Sequence, residues 1–152
     1  MYVISAVTSM DVDQLGELMR EMDEFYGEPE RESLDEKAAN IESALFGNSA
    51  CAHALAAWNA STMVGFASYS FLWPAVGSTK SLYLKELYVR QDVRGSGVGH
   101  LLMDGLIEIA RHSKCSRVEW TTDEDNLNAR KFYERLGHGV QGSKVFYRTL
   151  VY

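Results

Sequence analysis

The sequence predicts an α/β fold, a mixed sheet with helices on both faces, and three observations carry that prediction. A short alternating run near the start is followed by two segments of helical period. Three strand-like runs then stand in succession between positions 50 and 89. From there to position 150 helix and strand alternate, the pattern of elements wound onto a common sheet.

Each element has its own reason. Positions 2–7 alternate apolar and polar. A helix follows from about Ser9–Asp11 to Tyr26, with Leu15, Leu18, Met19 and Met22 recurring at the spacing of one helix face. Ser33-Leu34-Asp35-Glu36 has the spacing of a reciprocal capping box and opens a second helix that ends near Phe46-Gly47. Runs 50–58 and 63–71, separated by Asn59-Ala60-Ser61-Thr62, read as a hairpin. Run 82–89 is a third strand. A helix over 97–113 buries Val98, Leu101, Leu102, Leu106, Ile109 and Ala110, and a short strand follows at 117–121. Positions 126–136 form a helix stopped by Gly137, and 145–150 a last strand.

The 152 residues suit one domain spanning 1–152, with ordinary apolar (46%) and charged (24%) fractions and no Pro- or Gly-rich linker. No apolar run approaches the roughly 20 residues of a membrane helix. Met1-Tyr2-Val3-Ile4-Ser5 has no basic stretch before an apolar core, so a cytoplasmic location is expected, away from membranes. Cys51 and Cys115 read as reduced thiols, and the four histidines lack metal-ligand spacing, so no metal is expected. A net charge of −6 argues against nucleic acid as a partner. Residues 11–42 hold twelve acidic and three basic side chains, and the rest of the chain is net basic. That acidic segment is either a solvated helical face or an entrance for cationic substrates.

The most informative segment joins strand 82–89 to the next helix: Arg94-Gly95-Ser96-Gly97-Val98-Gly99-His100. A helix start presents unpaired N–H groups, glycines let a ligand approach the backbone, and Arg94 adds a full positive charge. The loop is suited to a phosphate or pyrophosphate. It lacks the Gly-Lys-Ser/Thr ending of a nucleotide-triphosphate loop and the Gly-x-Gly-x-x-Gly spacing of a dinucleotide loop.

This segment resembles the pyrophosphate loop of the Gcn5-related N-acetyltransferase superfamily. Asn126-Leu127-Asn128-Ala129-Arg130-Lys131-Phe132-Tyr133 through Gly137 is similar to the second signature of that superfamily. The resemblance implies a mostly antiparallel sheet of six or seven strands and an enzyme that moves acetyl from acetyl-CoA to a primary amine. Homodimers are common in the superfamily, and the aromatic tail 146–152 could supply such an interface or pack internally. By the same resemblance the backbone of Leu87, Tyr88 and Val89 meets the pantetheine arm. Arg94, Gly95, Ser96, Gly97, Val98, Gly99 and His100 hold the pyrophosphate, Asn126 caps its helix and bonds the arm, Ala129 leaves room for it, and Tyr133 points at the sulfur.

Chemistry supplies reasons of its own. A lysine-type amine is neutral only about once in 2,500 molecules at pH 7, so a base or a water path is wanted. Strand alternation puts Glu86 on one face with Leu82, Leu84 and Tyr88, an apolar setting that favours a base or amine-binding carboxylate; a structural ion pair is the competing reading. An oxyanion needs a donor, which an N–H near Leu87 or Tyr88 could supply. A leaving thiolate needs an acid, the role expected of Tyr133. Phe25 and Tyr26 are expected to touch the acceptor. They stand where the similar diamine acetyltransferases have a Tyr-Glu pair, and Lys85-Glu86 stands where those have adjacent acidic residues. The acceptor stays open among small cationic amines, polyamines, amino acids and lysine side chains. A non-catalytic acyl-CoA-sensing module is the alternative.

Overall fold

A computed structural model describes residues 1–151. It divides into two compact units, one ending at Thr121 and the other beginning at Thr122. The first holds a five-stranded sheet in the order β1 (Tyr2–Ala6), β2 (His53–Asn59), β3 (Thr62–Leu72), β4 (Lys80–Val89) and β5 (Cys115–Trp120). The first four strands are antiparallel neighbours and β5 runs parallel to β4. Helices α1 (Val12–Phe25) and α2 (Leu34–Phe46) precede β2, and α3 (Val98–His112) connects β4 to β5. The mixed, mostly antiparallel sheet is as expected, with five strands where six or seven were expected.

Local chemistry sets the boundaries. Ser33 Oγ accepts from the Glu36 N–H at 3.1 Å while the Ser33 N–H donates to Glu36 at 2.9 Å, the reciprocal cap that starts α2. The β2–β3 hairpin closes on Ala60 and Ser61, with Ala60 at φ 53°.

Two apolar layers sandwich the sheet. On one face α1 brings Val12, Leu15, Leu18 and Met22, and α2 brings Ile41, onto Ala54, Ala56, Phe66 and Tyr88. On the other, α3 buries Val98, Leu102, Met103, Leu106 and Ala110. Met103 is fully buried, whereas Leu101, placed in the stripe from sequence, is exposed. The helix starts later than expected, and its buried stripe runs on the Met103 side. Gly65 lets it dock: a Cβ there would sit 3.2 Å from Val98 Cγ1 and 3.0 Å from the Tyr88 carbonyl.

The second unit has one helix, α4 (Leu127–Arg135), capped by Asn126, whose Oδ1 accepts from the Ala129 N–H at 3.1 Å. Gly137, at φ 84°, follows it. The strand expected over 145–150 is not formed. A strand exists only through a paired neighbour, and residues 145–150 join no sheet among the described residues, with Val145, Phe146, Tyr147 and Leu150 exposed. Tyr152, the end of the expected interface tail, lies outside the described residues. No helix among them is long and apolar enough to cross a membrane.

Candidate active site

The chemistry-bearing stretch of the first unit begins at an irregularity in β4. Ser68 faces Glu86, but the next residue of β3, Tyr69, faces Leu84, so Lys85 is an extra residue, a β-bulge. A bulge reverses the alternation of side chains. Glu86 pairs with Ser68 on the α1–α2 face, as Tyr88 pairs with Phe66. Leu84 pairs with Tyr69, and Leu82 with Phe71, on the α3 face. Glu86 therefore shares a face with Tyr88 but not with Leu82 or Leu84. It is exposed rather than enclosed in apolar surroundings, which corrects the expectation drawn from simple alternation.

The same stretch leaves β5. The parallel ladder ends at the pair Leu84–Trp120, so Leu87, Tyr88 and Val89 lie beyond it. The Arg90 N–H donates to the Val64 carbonyl at 2.9 Å, which directs it toward β3. By alternation Tyr88 also turns its backbone groups to β3, while Leu87 and Val89 turn theirs to the side that β5 has vacated. An extended ligand can pair with that edge as an added strand would.

Beyond Val89 the chain makes a 3₁₀ turn at Gln91–Val93 and enters the glycine loop. Gly95 and Gly97 have φ of 81° and 93°, and a Cβ at either would meet nothing within 4 Å. These glycines serve backbone shape and open approach, not internal packing. Ser96 Oγ donates to the Val93 carbonyl and stiffens the turn. The first helical bond of α3 runs from the Leu101 N–H to Gly97 at 3.1 Å, so the N–H groups of Val98, Gly99 and His100 have no acceptor inside the helix. Val98 is buried as the anchor of this end. The His100 ring lies 3.3 Å from Asp104, one turn along the helix. A loop of this shape fits an anionic pyrophosphate.

Arg94 does not extend outward alone. Its Nε donates to the Val89 carbonyl at 2.9 Å, and its guanidinium lies 4.2 Å from the Phe25 ring centroid and 5.4 Å from that of Tyr88. Phe25 ends α1 and packs edge-on against Tyr26 and Tyr88. The buried Tyr88 hydroxyl donates to Glu21 at 3.1 Å. Burial first, and then the bond to Glu21, push the Tyr88 phenol up to about 12. Glu21 also lies 3.4 Å from Arg90. Phe25, expected beside the acceptor, is thus joined to the glycine loop through Arg94. No pattern in the sequence signals this contact, which spans almost seventy residues.

The acidic segment is partly committed to structure. Lys37 of α2 is buried, with its Nζ 3.2 Å from Asp23 and 3.0 Å from Glu32. Burial opposes its charge, but the bonds to Glu32 and Asp23 outweigh that and hold the ammonium above its usual range. The same hydrogen bond holds Glu32 below the usual carboxylate range. Glu17, Glu21 and Glu24 line a groove of about 260 Å³ together with Arg20 and Arg90, so their charge is partly balanced there.

In the second unit, Asn126, Ala129 and Tyr133 lie on α4 or its cap, half-buried, with the Tyr133 ring 5.2 Å from Phe132. Among the described residues no His, Cys, Asp and Glu cluster could hold a metal ion, and Cys51 and Cys115 are free thiols.

Comparison with known proteins agrees with this geometry. Residues 15–138 match the model of the acetyltransferase (GNAT) family. A thialysine N-epsilon-acetyltransferase of Sus scrofa is 25% identical over 135 residues, covering 84% of this chain and 78% of that protein. A spermine/spermidine N(1)-acetyltransferase of Bacillus subtilis is 28% identical over 88 residues, covering 55% of this chain and 57% of that one. An integron cassette protein from the mobile metagenome of V. cholerae superposes with a TM-score of 0.90 at 28% identity, covering 99% of this chain and 93% of that one. A glycine loop opening α3, a bulged β4 that outlasts β5 and a match over most of the chain lead to one conclusion: the chain belongs to the acetyltransferase (GNAT) family and is an acetyl-CoA-dependent N-acetyltransferase.

Proposed function

We propose that the acceptor is the primary amine of a small cationic molecule and that acetyl passes to it directly in a ternary complex, without an acyl-enzyme. One observation carries this reading. Within fourteen residues β4 exposes Glu86, turns the Leu87 backbone and the Val89 N–H to the edge beyond β5 while the Val89 carbonyl accepts from Arg94 Nε, and leads into the Gly95–Gly99 loop. An amine-facing carboxylate, a strand edge for an extended arm and an anion loop stand in the order a thioester ligand requires.

Glu86 orients the ammonium group and takes its proton, directly or through water. The Leu87 N–H donates to the oxyanion that develops as the amine adds to the thioester carbonyl. The Leu87 and Val89 backbone aligns the pantetheine arm, and N–H groups from Gly95 to Gly99 hold the pyrophosphate, with Arg94 adding charge. The Asn126 amide donates to the arm, and Ala129 leaves room for it. Tyr133, assigned from its signature alone, returns a proton to the departing sulfur. Tyr26 remains an acceptor-side residue. The two units act as one domain in this reading, supported by a family match that crosses Thr121–Thr122. The exposed apolar side chains of 145–151 support a homodimer.

A cationic acceptor suits the exposed Glu86, and relatives named for thialysine and for spermine or spermidine point the same way. Acetyl-CoA consumption measured over diamines, polyamines, basic amino acids, aminoglycosides and lysine peptides tests it. Turnover is expected with small diamines or basic amino acids. Turnover confined to neutral amines would defeat the cationic assignment, and CoA binding without turnover would favour a sensing module.

A further inference from the structure

We infer that Phe25 is a positioning residue for the pyrophosphate of acetyl-CoA, acting through Arg94, and not a wall of the acceptor pocket. The inference rests on the assignment of the Gly95–Gly99 loop to that pyrophosphate. An arginine side chain on an exposed loop is mobile, and ordering it on binding costs affinity. Here Arg94 is held on two sides before any ligand arrives. Its Nε is engaged with the Val89 carbonyl at 2.9 Å, and its guanidinium lies over Phe25 at 4.2 Å and Tyr88 at 5.4 Å.

That leaves the terminal nitrogens of the fork as the groups that reach an oxyanion, and the ring beneath the guanidinium helps set their position. The ring is itself fixed. Phe25 lies one helical turn beyond Glu21 on α1, and Glu21 accepts the Tyr88 hydroxyl at 3.1 Å. The rings of Phe25 and Tyr88 meet edge-on at 6.3 Å, so α1 and β4 brace the cation together. Phe25 is 43% exposed and Tyr88 only 2%. The Phe25 ring can therefore be removed without opening the core, and the Tyr88 ring cannot.

The test is a double-mutant cycle read by calorimetry on the full chain, with CoA as ligand and pantetheine, which has no pyrophosphate, as reference. Phe25→Leu is expected to weaken CoA about threefold to tenfold, the range of a cation–π contact, while pantetheine affinity moves less than twofold. Arg94→Met should weaken CoA at least as much. Phe25→Leu in the Arg94→Met background should then add less than twofold. Phe25→Tyr, which keeps the ring, should restore CoA affinity.

Equal weakening of CoA and pantetheine would mean that Phe25 only supports the fold, and additive losses would separate it from Arg94. Unchanged CoA affinity with a raised acceptor KM at saturating acetyl-CoA would return Phe25 to the acceptor. Each of these overturns the inference. If the unmodified protein bound CoA no better than pantetheine, the assignment of the loop would fail first, which is a different result.

Discussion

The two segments that carry the family signature are supported in opposite ways. The first, from Arg94 to His100, is rooted in the core: Val98 is buried beneath it, α3 buries four further residues, and Arg94 is braced by Phe25 and Tyr88. The second, from Asn126 to Gly137, rides on a nine-residue helix with no buried residue, shaped by the Asn126 cap and by Gly137. In the proposed function the first acts through backbone N–H groups, in keeping with its glycines and their positive φ angles. The second is proposed to act through side chains, whose roles no backbone rule supplies. Perturbing the first should change affinity, and perturbing the second should change rate.

The largest expected effect is on rate. Tyr133→Phe removes one hydroxyl and keeps the ring against Phe132. General acid catalysis contributes typically about 10²–10⁴-fold, so kcat should fall by roughly that factor while acetyl-CoA affinity stays within about threefold. A full kcat in the Phe variant, with chemistry rate-limiting, would make Tyr133 a packing residue.

Next comes the loop itself. Gly97 sits at φ 93°, where an L side chain costs about 1–2 kcal/mol, but a Cβ there meets no protein atom within 4 Å. Gly97→Ala should therefore cost about that much stability, or weaken CoA severalfold if the loop relaxes instead. Gly97→Val should weaken CoA at least about tenfold more, because its methyl groups stand where a ligand approaches the backbone. Equal CoA affinity in Ala and Val variants, measured by calorimetry, would show that φ alone explains these glycines.

The comparison also explains what the sequence made legible. The helices, the hairpin, the Ser33 box and the order of the strands follow from local pattern, because caps and periodicity act within a few residues. The bulge at Lys85 does not, since it depends on how β3 is aligned against β4, and simple alternation puts Glu86 with Leu82 and Leu84, which lie on the opposite face. The strand expected at 145–150 failed for a related reason: alternation is necessary for a strand, but a partner decides. Lys37 lies inside an acidic run that reads as solvated or as an entrance, yet its ammonium is buried between Asp23 and Glu32. The resemblance names Leu87, Tyr88 and Val89 together, and only the Arg90–Val64 bond shows that Tyr88 turns its backbone toward β3 and the other two away from it. Contacts across tens of residues leave no local trace.

A third effect concerns the second segment and separates cap from ligand. Asn126→Ala removes the acceptor for the Ala129 N–H and should destabilise α4 by about 1 kcal/mol, seen as faster amide exchange in that helix. Asn126→Asp keeps the accepting oxygen and should leave exchange unchanged, but it removes the amide donor proposed for the arm and should raise the acetyl-CoA KM severalfold. If Asp matched the parent in both measurements, Asn126 would be a cap alone.

The smallest effect probes the bracing of the first segment. The bond from Tyr88 to Glu21 joins β4 to α1, and Glu21 is half-exposed and also near Arg90, so it stays solvated when the hydroxyl is lost. Tyr88→Phe should therefore cost only about 0.5–1 kcal/mol at pH 8. Its dependence on pH identifies the source. With the folded phenol pushed up to about 12 and an unfolded tyrosine near its usual 10, the unfolded chain gives up this proton first as pH rises. The stability contributed by the Tyr88 hydroxyl is therefore complete below about pH 10 and is lost as pH climbs from there through about 12. The Phe variant lacks that alkaline limb, which removes about 1.4 kcal/mol by pH 11, so the gap between the two proteins should close just above pH 10 and reverse by about pH 11. Denaturant melts at pH 8, 10 and 11 measure it. A gap that stays constant across those three values would mean that the hydroxyl contributes by packing, and that Glu21 does not hold the base of the loop.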